Sequence, residues 1–403
     1  MWCQDISFLT LPSSPNIIHL KRYNTSYQKS LTMKKSIFIP ALLFSMSVVI
    51  SCQAEPEKKT AATEFETITI ADGLNNPWGM TWLPDGRMLV TEIKGEILII
   101  EGDKYNGKKL NGVPEVYANN QGGLLDIQVH PDYESNGWIY FSFSKPGDGG
   151  GSTAIMRAKL DGNNLVNKEL IYESFPKTRS GVHFGSRIDF KDGYIFFTIG
   201  ERGEMDNAQS VGNPFGKVHR LHENGDVPED NPFVQIPDAV KSIWSYGHRN
   251  PQGMQFHPET GELWAHEHGP KGGDELNIVQ KAKNYGWPEI SYGIDYDGSI
   301  ITDETKKEGM MQPVHYWDPS IAPCGMTFVT SERYPEWENN ILMGSLKFRY
   351  LNRVVLDEEG NYVKEEKLLE GIGRVRHVAE SPDGFIYVAV EGPGKIIKLM
   401  PKK

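Results

Sequence analysis

The sequence predicts an all-β fold, a six-bladed β-propeller over residues 65–403, and three observations carry that prediction. The 403 residues include 41 Gly, 25 Pro and 11% aromatics, a composition weighted toward turns and strands and long enough for one large domain. One unit returns six times along the chain: an apolar stretch, a turn rich in Pro, Asp or Gly, then a run rich in Val, Ile, Tyr and Phe. Helical periodicity is nowhere sustained beyond short connections.

The copies follow in order. The first is PWGMTWLPDGRMLVTE from Pro77, the second GGLLDIQVHPDYESNGWIYFSFS from Gly122, and the third HFGSRIDFKDGYIFFTIGERG from His183. The fourth is NPQGMQFHPETGELWAHEHGP from Asn250, the fifth GMTFVTSERYPEWENNILMGSLK from Gly325, and the sixth VRHVAESPDGFIYVAVEG from Val375. Their starts lie 45 to 75 residues apart, which leaves room for two further strands beside each pair and so for a four-stranded blade. That spacing is too irregular for a solenoid, and two stacked β-sandwiches would not generate a sixfold recurrence. FETITIADGL, residues 65–74, precedes the first copy and is expected to supply the outer strand of the last blade, closing the ring and removing an exposed sheet edge.

Residues 1–51 read as an upstream extension followed by an export signal, with Met33 as the functional start. Lys34 and Lys35 precede SIFIPALLFSMSVVIS, a charged start and an apolar stretch too short and poorly flanked for a spanning helix. Val49-Ile50-Ser51-Cys52 resembles a bacterial lipoprotein box, which implies a lipidated Cys52 and a flexible tether over residues 52–64. The expectation is an exported monomer or homodimer, periplasmic or held at the outer membrane of a Gram-negative bacterium through the lipid on Cys52 alone. With Cys3 in the extension, Cys324 is left as the single thiol and no disulfide framework is available. The formal charge is -11, and because five cations in residues 1–51 face only Asp5, the body is more acidic still. Such a body excludes nucleic acid as a partner, since phosphate neutralisation needs clustered cations.

Between Arg249 and Pro288 the chain reads RNPQGMQFHPETGELWAHEHGPKGGDELNIVQKAKNYGWP, a mixture that no hydrophobic core needs. An Arg beside an Asn offers a permanent cation and an amide donor to a developing oxyanion. Carbonyls at the Gly269-Pro270 turn and the carboxylates of Asp274 and Glu275 are hard oxygen donors of the kind calcium takes, whereas a transition metal favours imidazole or thiolate. His266 and His268 flank Glu267, but with no third ligand in view they are read as packing or channel residues. Upstream, His183 stands where a loop enters the third unit, and a neutral imidazole near its ordinary pKa suits a general base; taken alone, a histidine is more often structural. Late in the chain Lys347, Arg374 and Arg376 add cations to an acidic body, the last two expected on one strand face. A solvated basic stripe is the plain alternative.

This run, together with His183-x-x-x-Arg187 and the late Lys and Arg-x-Arg, resembles the soluble quinoprotein aldose dehydrogenases of the glucose/sorbosone dehydrogenase family, from about Leu74 to Lys398 and with the motifs in family order. The resemblance implies pyrroloquinoline quinone and calcium as cofactors, an aldose substrate oxidised at C1 to a lactone, and an external electron acceptor. It implies His183 as the base, and Gln121, Arg249, Asn250, Tyr296, Ser345, Lys347, Arg374 and Arg376 as cofactor contacts. It further implies the carbonyls of Gly269 and Pro270 as ligands of the calcium on the cofactor, and Glu275 with the Tyr285 carbonyl as a second calcium site. Val182 departs from the acidic residue that stands there in the glucose-oxidising member, so no preference among aldoses is implied. There is no GxGxxG strand–turn–helix element for a nicotinamide route. Two other functions fit the same fold: a calcium-dependent sugar lactonase, which needs several acids and amides converging on a metal and has no use for Lys347, Arg374 and Arg376, and a non-catalytic carbohydrate-binding or surface-interaction propeller, against which His183, Arg249, Gly269, Pro270, Lys347 and the Arg pair speak together.

Overall fold

A computed structural model describes residues 64–102 and 104–402; the readings of the leader, of Cys52 and of residues 53–63 lie outside them. Within the described residues, 24 strands form six four-stranded antiparallel sheets arranged as the blades of a propeller. Among the described residues, helix is confined to the four residues Tyr133–Asn136 and two short 3-10 turns. Five blades take their strands in chain order, while the sixth runs Val375–Glu380, Ile386–Val390, Lys395–Pro401 and then Phe65–Asp72. Phe65 lies opposite Pro401 and Asp72 opposite Lys395, so hydrogen bonds between the two ends of the described chain close the ring and cover the outer side of Lys395–Pro401.

Successive side chains of a strand face opposite ways, and in a propeller both faces of a blade meet a neighbour. The central strands are therefore apolar throughout. In Glu96–Glu101, Ile97 and Ile99 enter the seam between blades one and two, where they meet Leu124 and Phe141. Leu98 and Ile100 enter the seam between blades six and one with Tyr387 and Ile396. Each of the six seams carries one such cluster, and each fully buried Ile or Leu contributes roughly 1.5–3 kcal/mol. Outermost strands such as Lys104–Lys109 are polar and exposed, because only their inner neighbours are covered.

The first strand of each blade is the innermost. Pro77–Trp82, Leu124–Val129, Ile188–Lys191, Pro251–Phe256, Pro323–Phe328 and Val375–Glu380 pack against their counterparts next door. Arg187, just before the third of these, is buried on the axis and reaches every other blade. Its Nε donates to the Gln252 carbonyl at 2.7 Å, Nη1 lies 3.3 Å from Asp126 Oδ1 and 3.0 Å from His377 Nδ1, and Nη2 donates to the Arg376 carbonyl at 3.1 Å. Nη2 is also 3.6 Å from Cys324 Sγ, and the guanidinium sits 4.0 Å over the Trp78 ring. This hub separates two axial cavities. One, of about 140 Å³, is lined by the later residues of the inner strands, including Asp126, Asp189 and His377. The other, of about 460 Å³, is lined by their first residues, the loops that precede them and the turns that follow the second strands.

Candidate active site

The larger cavity holds the candidate chemistry. Trp78 and Phe184 give it flat walls, Gln121 and Gln252 contribute amides, and Lys347, Arg374 and Arg376 contribute three cations from blades five and six. Lys347 follows the strand Ile341–Ser345, and its amide donates to the Ile321 carbonyl at 3.2 Å, which fixes the turn that carries it. Arg374 directly precedes the strand Val375–Glu380 and Arg376 lies inside it, and both line the cavity.

His183 sits at the edge of this space, in the loop that delivers Phe184 and Gly185 to the wall. Its φ is +55°, a left-handed conformation that costs on the order of 1 kcal/mol in a non-glycine residue and that the surroundings must hold in place. Gln121 Oε1 accepts from the His183 amide at 2.9 Å, and Asn250 Oδ1 accepts from the Gly185 amide at 3.1 Å. A Cβ on Gly200 would stand 2.5 Å from the His183 carbonyl and 2.7 Å from Asn250 Oδ1, so only glycine allows that approach. Arg202 completes the clamp, donating to the carbonyls of Val182 and Ser180, while its guanidinium lies 3.4 Å from the Phe184 ring centroid. Burial lowers its pKa to about 10.

The His183 imidazole is buried, and Nδ1 is 2.7 Å from Glu201 Oε1. Glu201 Oε2 in turn accepts from the Gly203 amide. The carboxylate therefore accepts a hydrogen bond from Nδ1–H, which keeps the proton on Nδ1 and leaves Nε2 as the bare nitrogen. Burial lowers the His183 pKa, the Glu201 hydrogen bond opposes that, and the charges of Arg249 and Arg202 add to it. Desolvation thus favours the neutral form of the imidazole, the form a general base requires.

Arg249 is near enough for its charge to act on the His183 imidazole, but it and His183 stand behind the residues that line the cavity rather than among them. Nη1 donates to the carbonyls of His268 at 3.2 Å and Gly269 at 2.9 Å, and its Nε is buried with no partner among the described residues. Gly269 is required where it stands, since a Cβ there would fall 2.1 Å from the Gly272 carbonyl. Asp274 clasps the Gly269-Pro270 turn, accepting from the Gly269 amide at 2.8 Å and from the Ile321 and Ala322 amides, with its pKa raised to about 6 by burial. Glu275 is different. It pairs in register with Glu267, its hydrogen bond comes from Asn277 Nδ2 at 3.0 Å, and burial followed by the Glu267 charge drives its pKa far up. Asn277 Oδ1 is buried without a partner. A carboxylate and an amide oxygen left in this condition fit a hard cation. Among the described residues no three His, Cys, Asp or Glu side chains converge on a metal position, so a cation here draws on carbonyl and amide oxygens as well.

Other expected residues take different places. The Ser345 hydroxyl donates to the Ile321 carbonyl at 2.9 Å and accepts from the Phe348 amide, which supports the Lys347 turn rather than facing the cavity. Tyr296 is 67% exposed outside the cavity lining, its ring 5.9 Å from the Arg249 guanidinium. Tyr285 is buried, stacked 4.5 Å from His248, and its hydroxyl donates to the Ile278 carbonyl. His266 and His268 accept no metal geometry; their Nε2 atoms bond to the Gly325 and Pro323 carbonyls. Sequence reasoning missed Glu201, Arg202, Gln252, Trp78, Phe184 and Glu391. An acid and a base held between glycines directly after a strand, Gly200-Glu201-Arg202-Gly203, was the readable signal for the first two.

Residues 74–398 match the family model for Glucose / Sorbosone dehydrogenase. This chain belongs to the glucose/sorbosone dehydrogenase family. Aldose sugar dehydrogenase YliI of Escherichia coli is 40% identical over 344 residues, covering 83% of this chain and 92% of the relative. Quinoprotein glucose dehydrogenase B of Acinetobacter calcoaceticus is 27% identical over 458 residues, covering 92% and 95%. Among solved structures, the apo form of the soluble aldose sugar dehydrogenase from Escherichia coli superposes with a TM-score of 0.81 at 36% identity, covering 84% of this chain and all of that one. The family match takes in every blade, the larger cavity and the His183 loop.

Proposed function

We propose that this protein is a quinoprotein sugar dehydrogenase that oxidises the C1 hydroxyl of an aldose to a lactone, with His183 as general base and with pyrroloquinoline quinone and calcium as its cofactors. The observation that carries the reading is one cavity of about 460 Å³ in which Lys347, Arg374 and Arg376 meet two aromatic walls beside a buried, carboxylate-oriented imidazole. A flat tricarboxylate fits that set: Lys347 and Arg374 would meet carboxylates, Trp78 and Phe184 would cover the ring faces, and the orphaned Arg249 Nε supplies a further donor. The carbonyls of Gly269 and Pro270 would hold one calcium, and Glu275 with Asn277 Oδ1 and the Tyr285 carbonyl a second. When bound, the quinone would supply a two-electron acceptor and calcium a Lewis acid.

The chain's own residues do the rest. His183 Nε2 takes the proton of the sugar hydroxyl, and Glu201 stabilises the imidazolium that forms. Gln121, Asn250 and Arg202 hold the loop so that this nitrogen stays in position. Trp78 and Phe184 exclude water, which strengthens each charge interaction in the cavity. The lactonase reading lacks converging acids, and the non-catalytic one leaves the buried His183–Glu201 pair without a use. Export, a lipid anchor at Cys52 and reoxidation by an external acceptor belong to the same proposal. The test is dye reduction by the purified protein with calcium and pyrroloquinoline quinone across a panel of aldoses, with His183→Ala as control. Sugar-dependent reduction that needs the quinone and vanishes in the variant is expected; equal rates with and without quinone refute the reading.

A further inference from the structure

We propose that Glu391 is an internal counter-anion of the cavity, one that holds Arg374 and Arg376 when no ligand is bound and gives up Arg374 to an entering anion, so that it organises the site at the expense of affinity. This rests on the functional reading above and adds a residue that sets how tightly the cofactor is held.

Glu391 is the single acid among the residues lining the cavity. Its Oε2 accepts from Arg376 Nε at 2.9 Å and also from Nη2, and lies 3.7 Å from Arg374 Nε. The two arginines are not equivalent. The remaining Arg376 donor group, Nη1, is 3.2 Å from Cys324 Sγ and 3.4 Å from Gln252 Oε1, and the side chain is only 11% exposed. Its guanidinium is therefore committed to the protein. Arg374 is 43% exposed and otherwise donates to the Leu346 carbonyl at 3.3 Å, so it can turn to a ligand. The Glu391 amide donates to the Arg374 carbonyl at 2.8 Å, which ties the two backbones together; the two bonds from Arg376 hold the Glu391 carboxylate in place while the more exposed Arg374 side chain turns. Without Glu391, three cations would share one poorly solvated space, which disfavours the empty fold. With it, an incoming tricarboxylate meets a fixed like charge and must compete for Arg374.

Isothermal titration of pyrroloquinoline quinone into the calcium-loaded protein, with no sugar or dye, separates these effects. Glu391→Gln keeps an acceptor for Arg376 but removes the charge, and is expected to bind the quinone about tenfold more tightly than the parent, since the lost repulsion acts at short range in a low dielectric. Glu391→Asp, one methylene shorter, withdraws the carboxylate from Arg374 and should also bind more tightly, by a smaller factor; it serves if the Gln variant does not fold. Folded variants that bind no more tightly than the parent overturn the counter-anion role while leaving the functional reading intact. If the parent itself takes up no quinone, the functional reading fails and this inference with it.

Discussion

Glu201→Gln is the substitution whose consequence follows most closely from the hydrogen bonds. Glu201 uses Oε1 for His183 Nδ1, 2.7 Å away, and Oε2 for the Gly203 amide. The Gly203 N–H is a fixed donor, so the one oxygen of a glutamine must turn to it, which places the NH2 group against Nδ1. A donor there forces the imidazole proton onto Nε2, the nitrogen that has to be bare for the base to work. The wrong tautomer, in a site otherwise unchanged, should lower kcat by about 10³, or roughly 4 kcal/mol of barrier, with KM for the sugar nearly unaltered. A second effect has a definite sign. The Glu201 hydrogen bond raises the His183 pKa against burial, so its loss lowers that pKa and moves the acidic limb of the pH–rate profile to lower pH. Steady-state kinetics of the quinone-loaded protein from pH 4 to 9 measure both. A kcat within threefold of the parent, or an acidic limb displaced upward, would refute the assignment of His183 and Glu201 as base and orienting carboxylate.

Arg187→Met should cost about 4 kcal/mol, since it strands the buried Asp126 carboxylate and several acceptors on the axis, and should lower the urea midpoint by about 1.3 M for a slope near 3 kcal/mol per M. Adding Asp126→Asn should recover part of that loss; a double variant less stable than the single one contradicts the pairing. Calcium should raise Tm in the parent and by much less in Glu275→Gln, as followed by scanning calorimetry with and without a chelator; equal increments would remove Glu275 from the cation site.

Much of the fold was legible because a blade's strands are apolar on both faces and its hairpins are marked by turns such as Pro84-Asp85-Gly86 and Pro382-Asp383-Gly384. Phe65–Asp72 was readable as the closing strand because it had no partner within its own repeat. The site was legible where residue type and neighbours coincide, as at Arg249-Asn250 and at Lys347. It was not where function depends on distance across the ring. Glu391 lies fifteen positions beyond Arg376, on the turn after the next strand, and nothing local marks it as facing two arginines. Ser345 and Lys347 are two apart on one turn, yet the first turns inward to a carbonyl and the second to the cavity. Arg187, conspicuous in the His183 segment, serves the axis because the inner strands of four other blades place acceptors around it and that of the first an aromatic ring.

Equilibrium dialysis of pyrroloquinoline quinone against the calcium-loaded protein tests the central claim most directly. One molecule per chain should bind to the parent, and the Lys347→Gln, Arg374→Gln double variant should bind it at least about a hundredfold more weakly, as expected when two charge-assisted contacts to carboxylates are lost. Equal uptake by the two proteins would place the anion elsewhere and contradict the account.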